Sequence, residues 1–207
     1  MSFARVVRSM VSLVMVLGLA GAALAAEGKK AQTAQPAMDP EAMMKEWAKW
    51  AAPGEPHQML AKMVGKWNAV TKMMMAPGTE PMESKASAEF TSVMGGRWIR
   101  LEFTGEFMGQ TFHGLGYNGY DNFRKRFVQT WMDDMSTGTM TSYGTASKDG
   151  KSVTYFGLMD EPMTGEKDKK VKSATRWVDD DTFVYESWDH AKGNEWKALE
   201  ITYTRMK

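Results

Sequence analysis

The feature that most constrains the fold is a change in hydrophobic period after Gly65. In the run 82–91, charged and hydroxyl side chains occupy every second position, and small or aromatic side chains occupy the positions between. This alternation is typical of a β-strand with one buried face. The residues on the buried face are Ser84, Ala86, Ala88 and Phe90.

The same pattern recurs often enough to predict a mainly β domain of about ten strands. The predicted strands are 66–74, 82–91, 99–104, 111–117, 126–132, 138–147, 152–158, 170–178, 182–188 and 195–205. Short turn motifs separate them, among them Gly95-Gly96, Asn118-Gly119 and Asp149-Gly150. No segment between the strands is long enough for a crossover helix, so the sheet is predicted to be antiparallel.

An antiparallel sheet of this many strands either closes into a barrel or splits into a sandwich. Many positions on the predicted inner faces are small, which suits a curved sheet with room inside. These positions are Ala69, Ala86, Ala88, Gly114, Gly116, Ala174 and Ala198. The sequence therefore favours a closed, lipocalin-like β-barrel.

Two short helices are predicted before the first strand. Asp39-Pro40 is typical of a helix start, and the run 41–52 places methionine and tryptophan at helical spacing until Pro53-Gly54 ends it. The second helix is predicted over 57–64, with Gly65 at its carboxyl end.

The first 25 residues have the pattern of a signal peptide. Arg5 and Arg8 precede an apolar run over 10–20, and Ala23-Leu24-Ala25 matches a cleavage site. An uncleaved anchor is the alternative, but the apolar run is short for a bilayer span. We therefore expect export to the periplasm or the outside, a flexible tether over 26–37 and one domain over 38–207.

Charge and cysteine content exclude several classes of partner and chemistry. Without Arg5 and Arg8 the 26 Lys and Arg residues fall to 24 against 25 Asp and Glu, a net charge near −1. Nucleic acid is therefore not expected as a partner, because it requires a basic face. After the leader no further membrane span is predicted, and the absence of cysteine excludes disulfides and thiolate chemistry. The oligomeric state stays open.

Several motifs resemble a known family. Gly65-Lys66-Trp67 is similar to the G-x-W entry of lipocalin-like (calycin) barrels, where the tryptophan plugs the closed end. The segments 116–121, 127–133 and 201–205, with His57 and Met94 to Arg97, resemble an exported bacterial family of unknown function, DUF1579, over 57–207. The resemblance implies a calycin-like barrel and supplies no activity.

The first functional hypothesis is a barrel that binds a small apolar or amphipathic molecule. The candidate pocket residues are Trp67, Ala69, Met73, Phe103, His113, Leu115, Tyr117 and Trp131. His113 shares a strand face with Leu115 and Tyr117, so it is placed in the pocket with them.

Two alternative functions are weighed against binding. A cavity histidine such as His113 could ligate haem or serve an enzyme, although no catalytic residues are assigned and whether the protein is an enzyme stays uncertain. The methionine clusters, of which 73–75 is the densest, could bind Cu(I) in a structural or copper-handling envelope protein. No cofactor or metal is predicted, because a hydrogen-bonded histidine and apolar packing explain the same residues.

Overall fold

The computed structural model describes residues 39–191 and 194–207. The predicted leader and the predicted tether lie outside these residues. Two helices come first, α1 (Pro40–Ala51) and α2 (Glu55–Ala61). The strands are β1 (Gly65–Met73), β2 (Met82–Val93), β3 (Trp98–Phe107), β4 (Gln110–Asp121), β5 (Arg126–Asp133), β6 (Met140–Ala146), β7 (Ser152–Glu161), β8 (Glu166–Trp177), β9 (Thr182–Ala191) and β10 (Asn194–Arg205).

The ten strands form a closed barrel in which every neighbouring pair is antiparallel. Each strand pairs with the next in sequence, and β1 pairs with β10 to close the sheet. The fold predicted from the alternating pattern is therefore confirmed, including the number of strands and the two preceding helices.

Trp67 seals one end of the barrel, where α2 lies against it. The indole is 1% exposed, and its Nε1 donates a hydrogen bond of 2.8 Å to the carbonyl oxygen of Met63. The ring of Phe183 packs edge-on at 4.7 Å. This end is the closed end of the barrel, as the G-x-W motif implies.

Arg205, in the last strand, joins α2 to the closed end. Its guanidinium lies over the Trp67 ring, 4.1 Å from the ring centroid. Its Nη1 donates to the Val64 carbonyl oxygen at 2.8 Å and its Nη2 to the Lys62 carbonyl oxygen at 2.9 Å. One side chain thus satisfies carbonyl groups that the end of a short helix leaves unpaired.

His57 has a structural role near the start of α2. Its Nδ1 accepts a hydrogen bond of 3.0 Å from the Gly54 backbone N–H, and the ring contacts Tyr120 edge-on at 5.9 Å. Burial lowers the pKa of the imidazole, which therefore remains the neutral acceptor that this bond requires.

The turn predicted at Asn118-Gly119 is wrong. Both residues lie inside β4, and the chain turns after Asp121, whose carboxylate accepts the backbone N–H groups of Phe123 and Arg124. Gly119 is required for close approach instead, because a Cβ there would lie 2.5 Å from the Trp98 ring.

Helix α1 buries none of its side chains, although its apolar residues have helical spacing. Its end is fixed to the β4–β5 turn, where Asn122 Nδ2 donates to the carbonyl oxygens of Trp50 and Ala52 at 2.8 Å each. Among the described residues no helix has both the length and the apolar character needed to cross a bilayer.

Candidate ligand-binding lumen

The burial of the inward side chains differs along the barrel axis. Around Trp67 the inward side chains are almost fully buried and form an aliphatic and aromatic core. Its members include Phe90, Ile99, Phe127, Val153 and Phe183, each 3% exposed or less. This packing leaves the closed end without room for a ligand.

Away from the closed end, inward side chains keep accessible surface. Trp131 and Tyr185 pack against the core cluster, yet both are only partly buried. Leu199 and Met140, which lie nearer the other end, are also partly buried. Because these side chains point inward, the accessible surface lies on the inside of the barrel. The structure therefore has a solvent-reachable lumen above the Trp67 layer.

One side of the lumen is polar. Five adjacent strands, β5 to β9, each present an uncharged polar side chain inward near mid-barrel. We call these residues the polar arc: Gln129, Ser142, Tyr155, Ser173, Tyr185 and Ser187. Gln129 pairs across strands with Ser142, and the row of Tyr155, Ser173 and Ser187 crosses three strands. The members are therefore neighbours on one wall.

Three atoms of the polar arc are buried without a hydrogen-bond partner among the described residues, Gln129 Oε1, Ser142 Oγ and Ser173 Oγ. The Gln129 amide nitrogen does have a partner, since it donates to Asn118 Oδ1 at 3.2 Å. Buried polar atoms are normally satisfied by protein, water or ligand, because leaving them unpaired costs free energy. These three atoms have almost no accessible surface, so the hydroxyls that face the accessible part of the interior are those of the partly exposed Tyr185 and Ser187.

The tyrosines inside the barrel are held neutral. Burial raises the pKa of Tyr155 and Tyr203 well above the ordinary value, and the nearby Tyr185 raises both further. Burial also raises the pKa of Tyr185, an effect that the neighbouring Ser173 and Ser187 hydroxyls partly offset. All three phenols are therefore available as hydrogen-bond donors at physiological pH.

On the opposite side of the lumen many inward positions are small, although Thr71 and Ser84 also face inward there and their hydroxyls share a hydrogen bond. We call the inward positions of β1 to β4 at mid-barrel the apolar arc: Ala69, Ala86, Ala88, Phe103, Gly114 and Gly116. A Cβ on Gly114 would lie 2.0 Å from the Trp131 ring, so this indole lies directly on the glycine backbone. An aromatic ring that lies against the wall occupies less of the central space than one that crosses it.

The open end, or mouth, carries methionine and one ion pair. Met73 and Met82 are cross-strand partners there, and Met159 lies opposite Lys169 on the neighbouring strand. Lys169 Nζ is 2.8 Å from Asp189 Oδ2, and the lysine side chain is 14% exposed. Methionine provides a flexible apolar rim that adapts to different shapes.

Five of the eight residues predicted for the pocket face the inside of the barrel. They are Trp67, Ala69, Met73, Phe103 and Trp131. Trp67 lies in the sealed layer, so it forms the floor. Ala69, Phe103 and Trp131 lie at mid-barrel, and Met73 is at the mouth.

His113, Leu115 and Tyr117 lie on the outer face instead. They share one face of β4, as predicted, but their partners on β3 are Thr104, Glu102 and Arg100, which are also on the outside. The inner face of β4 includes Gly114 and Gly116, which were predicted to face inward, and these glycines make room for Trp131. His113 is therefore not placed to ligate a haem inside the barrel.

An open groove of about 510 Å³ lies over this part of the outer face. It includes Leu115 and His113, whose Nδ1 is 3.2 Å from Thr104 Oγ1. The Asp134 carboxylate accepts the His113 backbone N–H at 3.0 Å and so joins β4 to the end of β5. Within residues 39–191 and 194–207, no three His, Cys, Asp or Glu side chains are grouped for a metal ion.

The polar arc was missed by the sequence analysis. Serine occurs on both the inner and the outer face of a strand, so the sequence alone does not show which face these serines occupy. Only the register places Ser142 and Ser173 inside. One signal was present in the sequence. Tyr155 follows the buried Val153 by two residues, and Tyr185 follows the buried Phe183 by two residues, so each tyrosine shares a strand face with a buried residue.

The fold is a closed, ten-stranded antiparallel β-barrel with a sealed floor and with partly exposed inward side chains towards the other end. The chain belongs to the DUF1579 family, described as a protein of unknown function, whose model matches residues 52–205. The predicted resemblance is thus confirmed. No curated protein matches the chain.

A solved structure shares the fold. "Crystal Structure of Rv2717c from M. tuberculosis" is 17% identical, with a TM-score of 0.55 over 75% of this chain and 100% of that chain. At this identity the likeness supports the barrel architecture and carries no information on activity.

Proposed function

We propose that this protein binds a small amphipathic molecule in the lumen, which enters through the mouth. The observation that carries the proposal is the partial exposure of inward side chains such as Trp131 and Tyr185, above a fully buried floor. A cavity with an apolar lining and a few converging polar groups is the usual form of a small-molecule site.

The number of strands supports this proposal. The diameter of a barrel grows with its strand number, and eight strands already enclose a space that side chains can just fill or that holds one small ligand. Ten strands enclose more, and Ala69, Ala86 and Ala88 of the apolar arc project little volume into this space. The partly exposed Tyr185 and Ser187 on the opposite wall give a ligand hydroxyl groups to bind.

The proposal includes the compartment. We infer that the protein acts outside the cytoplasm, because Arg5, Arg8 and the apolar run that follows have the order of a signal peptide. Amino-terminal sequencing of the mature protein tests this point. A first residue near 26 or 27 is expected, and a mature protein that begins at Met1 would contradict it.

Blocking the lumen is expected to abolish binding. Ala86 faces Ala69 across β1 and β2, so Ala86→Trp directs an indole into the central space. We expect it to eliminate the fluorescence increase of Nile red, a neutral polarity-sensitive dye, which the wild-type protein should bind. The cost in stability should be about 1–3 kcal/mol, since an existing cavity accepts part of the added volume.

The matched control is Leu115→Trp. It adds the same side chain to the outer face of the same barrel and should leave Nile red affinity unchanged. Urea denaturation of both variants establishes that they are folded. A folded Ala86→Trp protein that binds the dye as well as the wild type would overturn the lumen as the binding site.

A further inference from the structure

Helix α1 has an apolar side that the described residues leave largely uncovered. Met43, Trp47 and Trp50 have the spacing of one helix face, and Met44 borders that face. These four side chains are between 40% and 69% exposed. The two lysines and two glutamates of the helix lie on the other side. The helix therefore presents to solvent the face that an amphipathic helix usually buries.

This apolar side continues onto the turn between β4 and β5. The ring of Phe123 packs edge-on against Trp50, with 5.2 Å between the ring centroids, and Phe123 is 73% exposed. Asn122 in the same turn donates to the Trp50 and Ala52 carbonyl oxygens, which fixes the end of the helix to the barrel. We call five side chains the apolar platform: Met43, Met44, Trp47, Trp50 and Phe123. The platform is thus held in place by hydrogen bonds at its centre.

The area of the platform limits what can cover it. From the exposed fractions and the roughly 150–250 Å² that an aromatic side chain offers, the platform presents on the order of 500 Å². An exposed apolar patch of this size often marks an interaction site or a membrane contact. A stable interface between two copies buries about 800 Å² on each partner. The platform is therefore small for a dimer, and its area favours a lipid surface.

The turns around the platform are basic. Strand β1 begins at the closed end and neighbouring strands alternate in direction, so the turns after β2, β4 and β6 also lie there. Against two carboxylates, Asp121 and Asp149, these turns have five exposed cationic side chains: Arg97, Arg124, Lys125, Lys148 and Lys151. The acidic turn 179–181 follows β8 and is not adjacent to the β4–β5 turn. The side of the closed end that has the platform is therefore positively charged.

The other end of the barrel has the opposite balance. The segment 160–168, which includes the β7–β8 turn at the mouth, contains four carboxylates and one lysine. The net charge near −1 thus conceals an uneven distribution along the barrel axis. An anionic surface would attract the platform side of the closed end and repel the mouth.

We propose that the closed end docks on an anionic lipid surface, with the apolar platform inserted among the headgroups. Tryptophan suits this position, because its ring is apolar and its N–H can bind headgroup oxygens. Arg124 and Lys125 directly follow Phe123 in the turn, so they lie where the lipid phosphates begin. The mouth then faces away from the membrane and stays open to solution.

Co-sedimentation with lipid vesicles tests this docking surface. Protein recovered after export is mixed with vesicles of equimolar phosphatidylethanolamine and phosphatidylglycerol, and separately with vesicles of phosphatidylcholine alone. We expect binding to the anionic vesicles that weakens as the salt concentration rises. Binding to phosphatidylcholine should be at least about tenfold weaker, because each basic residue near an anionic surface contributes to the affinity.

A double variant, Trp47→Gln with Phe123→Gln, removes the two most exposed rings of the platform. Its affinity for the anionic vesicles should fall at least about tenfold, because these rings supply most of the area that inserts. The matched control is Phe156→Gln, which removes a ring that is 62% exposed midway along β7. The control should bind as the wild type does. All residues before Pro40 are the same in the three proteins, so their contribution is equal.

Two results would show that the proposal is wrong: a wild-type protein that does not sediment with the anionic vesicles, or a folded double variant that binds them as tightly as the wild type. Sedimentation equilibrium without lipid tests the other occupant. A wild-type dimer that the double variant converts to a monomer would assign the platform to a second copy of the chain and overturn the lipid surface. Circular dichroism establishes that the variants are folded. The proposed lumen site is tested separately, by Nile red and Ala86→Trp.

Discussion

Replacement of Trp67 by alanine is expected to lower the free energy of unfolding by about 3–5 kcal/mol, the usual cost of truncating a core aromatic. The indole is 1% exposed and packs against Phe183, so its removal leaves a cavity in the floor of the barrel. The variant also loses the hydrogen bond to the Met63 carbonyl oxygen and the ring under the Arg205 guanidinium. Both contacts hold α2 against the barrel.

Urea denaturation followed by circular dichroism measures this effect. Trp47→Ala is the matched control, because Trp47 is 69% exposed on α1 and should change the stability by less than about 0.5 kcal/mol. If Trp67→Ala unfolds at the same urea concentration as the wild type, the assignment of Trp67 to the floor is wrong.

Alkaline pH is expected to unfold the barrel steeply. The folded state raises the pKa of Tyr155 and Tyr203 above the ordinary value of 10.0, chiefly through burial. Above pH 10 the unfolded chain releases both phenolic protons and the folded barrel retains them. The stabilisation is therefore complete below pH 10 and declines as the pH rises towards the folded-state values, by about 1.4 kcal/mol per pH unit for each tyrosine.

Tyrosine-to-phenylalanine variants isolate this contribution. Tyr155→Phe and Tyr203→Phe should each reduce the loss of stability between pH 10 and 11 by about 1 kcal/mol, measured from urea curves at the two pH values. Tyr143→Phe removes the hydroxyl of a tyrosine that is 41% exposed, and it should have no such effect. An identical pH dependence in all three variants and the wild type would show that the buried phenols do not control alkaline unfolding.

The architecture could be predicted because strand alternation and turn residues are local signals. Ten alternating runs without a crossover helix leave few topologies, and Gly65-Lys66-Trp67 specifies which end is sealed. The turn at Gly95-Gly96 could be predicted because paired glycines are typical of turns. In the structure both residues have positive φ, 64° and 83°, which glycine adopts without strain.

The lumen was harder to predict because alternation defines two faces without saying which one is inside. On β4 the bulky face, with Leu115 and Tyr117, is outside, and the inner face includes Gly114 and Gly116, against which Trp131 lies. The size of a side chain therefore suggested the wrong face. The inward position of Ser142 and Ser173 depends on register with distant strands, which a single segment does not contain.

The seam between β1 and β10 has a consequence for the order of synthesis. The strand that closes the barrel is the last of the ten, so the ring cannot close until β10 has been made. Until then β1 and β9 both have an unpaired edge, and such edges promote association between chains. A chain shortened before β10 would keep these edges permanently, so its expected fate is aggregation or proteolysis.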